Sequence, residues 1–229
     1  MIDFHTHILP NMDDGSVSAK QSLEMLTMLE EQNVKLVCLT SHFYADREPI
    51  DEYIKRRNDA FNQINYQGNL ELKLGSEVHY YRGISASEDI DKLCLEGTNL
   101  LLIELPFESK INENIINEIL SIKNRGYKVV LAHFERYNFS IDDLNLFKRN
   151  GILLQSNCEF IIGSFLNSKG IKLLQDGYID LLGSDCHDLS SRKPNYLETV
   201  LKIKEKLGDD YLNNFNNICY KIINEAKVS

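Results

Sequence analysis

The sequence predicts an α/β protein built on a parallel sheet, and three observations carry that expectation. Seven short apolar runs of buried-strand type recur along the 229 residues. Helical stretches separate them, and Gly126, Gly151 and Gly177 each stand just before the next run, where a left-handed helix cap belongs. Repeated strand–helix units in one chain favour helical crossovers on a parallel sheet. Seven strands suit an open doubly wound sheet or a closed (β/α)7 barrel, and periodicity does not choose between them.

The strand candidates are Ile2–His5, Leu36–Thr40, Leu70–Gly75, Leu100–Leu105, Lys128–Ala132, Ile152–Ser156 and Ile179–Leu182. Each is short and rich in Ile, Val or Leu, as strands buried on both faces are. Helices are expected over Ser18–Gln32, where Leu23, Leu26 and Leu29 mark one face, and over Pro49–Ile64, Ile111–Lys123, Ile141–Lys148 and Lys169–Gln175. The C-terminal stretch reads as two helices, Asn195–Lys206 and Asp209–Ala226, broken at Gly208. No linker or low-complexity segment divides the chain, so residues 1–229 are expected to form a single domain.

Composition narrows the function. Hydrophobic residues make up 43% and charged residues 26%, as in ordinary globular proteins. The longest apolar runs, Leu100–Ile103 among them, are far too short to span a bilayer, so no membrane insertion is expected. The N-terminus has no basic-then-apolar leader, which makes the cytoplasm the expected location. Twenty-five basic and 34 acidic residues leave a net charge of −9, which argues against nucleic acid as a partner. The five cysteines are an odd number, without a C-x-x-C pair, and read as reduced thiols. Composition is compatible with a monomer or an oligomer.

Five of the six histidines fall at or just after the C-terminal ends of predicted strands, where parallel α/β folds build their sites. His5 and His7 are two apart on an extended segment and so share a face. Asp185 and His187 repeat that spacing after the last strand. Asp13-Asp14-Gly15 alone reads as a turn, and His42 alone as a structural histidine. Glu77 follows the third strand, with His79 on its face. Glu104 interrupts the apolar run 101–105, where an ionised carboxylate needs a cation or hydrogen-bond donor. His133 ends the fifth strand, and Arg136 follows three residues later. Together His5, His7, Asp14, His42, Glu77, Glu104, His133, Asp185 and His187 make nine nitrogen and oxygen ligands without a cysteine. That donor set suits Mn²⁺, Fe²⁺ or Zn²⁺, and its size implies two to three ions. Clustered divalent ions also reverse the local sign of charge, so the acidic balance does not exclude a phosphate substrate.

These residues resemble the PHP (polymerase and histidinol phosphatase) metallo-phosphoesterases, and within them the bacterial capsule-associated protein-tyrosine phosphatases. The resemblance rests on Asp3-Phe4-His5-Thr6-His7, Asp13-Asp14-Gly15, Thr40-Ser41-His42, Glu77, Glu104, Ala132-His133-Phe134-Glu135-Arg136-Tyr137 and Ser184-Asp185-Cys186-His187. It implies a distorted (β/α)7 TIM-like barrel of the PHP type. It implies one ion held by His5, His7, Glu77 and Asp185, a second by Glu77, Glu104 and His133, and a third by Asp14, His42 and His187. Arg136 and Arg192 match positions that contact the phosphate. The implied reaction is phosphotyrosine hydrolysis by a metal-activated hydroxide, with Mn²⁺ the foremost candidate ion and Fe²⁺ or Zn²⁺ the alternatives. The implied partner is a bacterial tyrosine autokinase governing capsule or exopolysaccharide synthesis. The alternative is a small-molecule phosphoesterase resembling histidinol phosphatase. His79 stands where the family tends to carry an aromatic residue. Arg47 and Arg82 are further candidates for steering a phosphorylated tail.

Cys186 to Arg192 also satisfies the C-x5-R spacing of cysteine-dependent phosphatases. That loop lacks glycine and would set Asp188 beside the anion, so the thiol mechanism is not expected.

Overall fold

The structure, a computed structural model, describes residues 1–106, 113–163 and 169–228. Its strands are all parallel and curl into a half-barrel. β1 (Ile2–Thr6) pairs with β2 (Leu36–Leu39), which pairs with β4 (Glu71–Leu74). A second run joins β3 (His42–Phe43), β5 (Glu77–His79), β6 (Leu100–Glu104), β7 (Lys128–Leu131), β8 (Leu153–Asn157) and β9 (Leu181–Gly183), in that order. Beyond β9, Thr6 bridges Cys186, and the Asp185 N–H donates to the His5 carbonyl at 2.8 Å. Those bonds set the chain after β9 beside the end of β1.

The expected second and third strands are β2 and β4, and each is followed after a two-residue break by a short further strand, β3 and β5, that was not expected. At the breaks, the Glu77 N–H reaches both the Thr40 and Ser41 carbonyls, at 3.0 and 3.1 Å, so the ladder slips by a residue. The breaks re-aim the chain just before His42 and Glu77. The last strand starts at Leu181, two residues later than expected; Asp180 before it pairs with Lys148 and exchanges hydrogen bonds with the Leu154 backbone.

Helices α1 (Ala19–Glu31), α2 (Ile50–Phe61), α3 (Glu113–Asn124), α4 (Ile141–Arg149), α5 (Cys158–Ile162), α6 (Lys169–Gln175), α7 (Tyr196–Leu207) and α8 (Asp209–Glu225) complete the described chain. The first two residues of the helix expected from Ile111 lie outside the described residues. Ser18 caps α1 by accepting the Gln21 N–H, and Met25, Leu26 and Leu29 are its buried stripe. α5 was not expected, since five residues are too few for a helical period to register. Among the described residues, no helix is long and apolar enough to cross a membrane.

Candidate metal centre

The nine candidate ligands converge at the C-terminal ends of the strands. They fall into four overlapping groups, in each of which the ligand atoms lie within 4.8 Å of one another. The groups are His7, Asp14, His42 and His187; His5, Glu77 and His133; His5, His7 and Asp185; and His42, Glu77 and Glu104. Asp14 is the one exposed member and His42 is half-buried; the rest are buried.

The second ring nitrogens decide what the first can do. His5 Nδ1 lies 3.0 Å from Gln155 Oε1, and that oxygen is fixed as an acceptor because it also takes the His133 N–H at 2.8 Å. His7 Nδ1 lies 2.8 Å from Asp13 Oδ2. Both Nδ1 atoms therefore donate, which leaves a lone pair on each Nε2 of the neutral rings. The two Nε2 atoms face each other at 3.0 Å, and each is 3.2 Å from Glu77 Oε2. Lone pairs and a carboxylate oxygen crowded this way repel unless a cation or proton sits among them. Glu77 Oε2 and His187 Nε2 are also buried without a hydrogen bond. This donor set fits divalent ions.

Local structure places each donor. Gly15 leaves room for His7: a Cβ there would lie 2.2 Å from the His7 carbonyl oxygen. Gly183 does the same for His5, where a Cβ would come within 2.4 Å of the His5 Cβ. His133 (φ 29°) and Asp185 (φ 52°) adopt left-handed backbone without being glycine, a conformation typical of functional positions. Two α2 side chains hold the strand breaks. The Tyr53 hydroxyl donates to the Ser41 carbonyl at 2.7 Å, and Arg57 donates to the Gly75 carbonyl at 3.0 Å. Among the described residues the buried Arg57 has no carboxylate within ion-pair range, so capping this backbone is what its charge does.

Charges in the centre are strongly coupled. Burial opposes ionisation of Glu77 and Asp185, yet the histidines around them, with Arg136 at Asp185, hold both carboxyls well below their ordinary range. Glu104 is drawn down to about 2 against its burial, by His133 and His79. Conversely, His133 rises to about 9 despite burial because Glu104 and Glu77 face it. His7 rises well above its ordinary value, against burial, through Asp13. His187 instead falls to about 4, from burial and the nearby positive His7. Without metals, protons on imidazoles balance the carboxylates, so ions entering the centre must displace them.

Arg136 and Arg192 approach from one side. Both donate to Asp185 Oδ2, Arg192 at 2.9 Å, and Arg192 also lies 3.7 Å from Asp14. His79 accompanies Glu104, its Nδ1 3.0 Å from Glu104 Oε2. Arg47 stacks on Tyr44 at the rim, while Arg82 is exposed on a loop. Cys186 is fully buried, and burial pushes its thiol well up, so it cannot serve as a thiolate.

Sequence reasoning missed Asp13, Gln155 and Asn157. Asp13 orients His7 and also takes the His42 N–H at 2.9 Å. Asn157 donates to Asp185 Oδ2 at 2.7 Å. Asp13 was discoverable, because it sits in the same Asp-Asp-Gly turn as Asp14; the two amides carried no such signal.

A profile of the capsular polysaccharide synthesis proteins CpsB/CapC matches residues 1–223. The chain belongs to that family. One relative, a putative tyrosine-protein phosphatase CapC from Staphylococcus aureus, is 28% identical, covering 93% of this chain and 89% of its own. The tyrosine-protein phosphatase YwqE of Bacillus subtilis is 26% identical over 92% of this chain and 86% of its own. A solved chain from the crystal structures of YwqE from Bacillus subtilis and CpsB from Streptococcus pneumoniae, described as unique metal-dependent tyrosine phosphatases, shares the fold: TM-score 0.82, 21% identity, covering 100% of this chain and 96% of that one. A probable 2-pyrone-4,6-dicarboxylic acid hydrolase from Acinetobacter baumannii shares it more distantly, with a TM-score of 0.58 at 14% identity over 97% of this chain and 98% of its own.

Proposed function

We propose that this CpsB/CapC family member is a metal-dependent protein-tyrosine phosphatase acting in capsular or exopolysaccharide synthesis. The observation that carries the reading is the convergence of His5 Nε2, His7 Nε2 and Glu77 Oε2 within 3.2 Å, with two arginines beside them. Family membership and the names of the relatives supply the substrate class. The bonds that set the end of β1 beside the chain after β9 support reading the sheet as a distorted (β/α)7 barrel of the PHP type, and the chain as one catalytic domain.

Two to three divalent ions, Mn²⁺ foremost, would be held by His5, His7, Glu77 and Asp185, by Glu77, Glu104 and His133, and by Asp14, His42 and His187. The groups seen in the structure hold three members of the first set and all of the third with His7 added, while Glu77 groups with His5 and His133 and, separately, with His42 and Glu104. When bound, such ions supply Lewis acidity and water deprotonated at neutral pH. The chain's own residues do the rest. Arg136 and Arg192 present two planar forks to the phosphoryl oxygens, a recognition that lysine does not reproduce. Asp13, Gln155 and Asn157 keep His7, His5 and Asp185 in place. A phenolate leaves readily, so little acid assistance is required. The substrate would be a phosphorylated bacterial tyrosine autokinase. Five free, buried cysteines accord with a cytoplasmic location.

Turnover of a phosphotyrosyl peptide with Mn²⁺, abolished by a chelator and restored by metal, is the expected result. Faster turnover of histidinol phosphate than of the peptide would point to small-molecule chemistry instead.

A further inference from the structure

Beside Glu104 and His42 stands a wall of side chains that are not among the nine candidate ligands. His79 and Tyr44, both half-exposed, lie with ring centroids 5.2 Å apart. Tyr44 is also 5.2 Å from the His42 ring, so the wall rises directly from a candidate ligand. Arg47 closes its outer end, its guanidinium carbon 3.8 Å above the Tyr44 ring. The Arg47 N–H donates to the Tyr44 carbonyl at 3.0 Å, which fixes the turn between them. Arg47 is exposed, and among the described residues it forms no ion pair.

An exposed arginine ordinarily swings in solvent or pairs with an acid. This one is held by stacking on an aromatic ring. Its charge is therefore placed at a defined distance from the centre, about one aryl group out. A half-exposed pair of rings between that charge and the metal ligands is a surface for a flat apolar group.

We propose that Tyr44, His79 and Arg47 form a specificity subsite: the two rings pack against the tyrosyl ring of the substrate, and Arg47 pairs with an acidic residue flanking the phosphotyrosine. The inference rests on the phosphatase reading and adds to it a preferred peptide class. Arg136 and Arg192, both bonded to Asp185, would hold the phosphoryl group. His79 contributes a ring face, positioned by its bond to Glu104.

The test measures kcat/KM with Mn²⁺ on three substrates: a phosphotyrosyl peptide with acidic flanks, the same peptide with neutral flanks, and an alkyl phosphomonoester. The wild type is expected to prefer acidic over neutral flanks about fivefold, the scale of one exposed charge pair. Arg47→Ala should bring that ratio to about one while changing the neutral peptide less. Tyr44→Ala should lower the preference for the aryl peptide over the alkyl ester by about fivefold, whereas Tyr44→Phe should keep it. Metal content of each variant, measured alongside, identifies damage to His42. Peptide turnover with no flank preference, or ratios unmoved in both alanine variants at full metal content, would overturn the subsite and leave the phosphatase reading standing. A wild type that turns over neither peptide would overturn both.

Discussion

The two ends of the same strands are built to opposite rules. On β6, Leu100, Leu102 and Glu104 share one face. The first two, with Phe4, Cys38, Val130 and Leu181, close around a void of only about 20 Å³. Two residues further along the strand, Glu104 enters a cluster of carboxylates and imidazoles. The apolar layer needs nothing else to be stable, each buried Leu or Val contributing about 1.5–3 kcal/mol. The polar layer carries two left-handed non-glycine residues and crowded lone pairs, and it needs cations to be at rest. Stability and chemistry are thus separated by a single step along each strand.

Crossing that step with mutations should separate the two properties. Glu77→Gln removes the charge central to two of the ligand groups and should lower peptide turnover by about 10³-fold or more, with folding retained by circular dichroism. Retention of a tenth of the activity would contradict its role. Leu102→Ala, one layer down, should cost about 2–5 kcal/mol in urea unfolding while kcat at a permissive temperature stays near wild type. A large kcat loss there would show the layers to be coupled.

Acidity offers a gentler probe. In the metal-free protein His133 is raised to about 9 by Glu104 and Glu77 against burial, so its contribution to stability is complete below its unfolded value of about 6.5 and fades as pH rises toward 9. Metal binding runs the other way, because the ligand nitrogens must be deprotonated. The Tm gap between Mn²⁺-loaded and metal-free protein should therefore widen from pH 6.5 to 9. A narrowing gap would argue that His133 is not a ligand. The smallest effect is expected at the apolar edge of the centre: Cys186→Ser should keep activity within about twofold, since the thiol is buried and protonated.

Much of the upper layer was visible in the sequence because strand geometry has a period of two. His5/His7 announce a shared face by spacing alone, and Glu104 stands out by being charged in an apolar run; Asp185 and His187 lie past the end of β9, and Asp185 is left-handed, so strand spacing does not explain their meeting. Asp13 did not, because its partner His7 is reached only through a turn, and Asp14 competes for attention beside it. Gln155 acts across 150 residues on His5, a contact that no local pattern encodes. The two strand breaks were equally hidden, since they depend on Tyr53 and Arg57 reaching over from α2. The aromatic wall was half visible: Arg47 and His79 drew notice as isolated residues, and only the fold puts Tyr44 between them.

The most direct test of the account is elemental analysis of the purified protein, paired with phosphotyrosyl-peptide turnover during metal titration. The account predicts two to three divalent ions per chain at full activity, with activity lost on chelation and regained as the ions return. Full turnover in protein that carries no metal would contradict it.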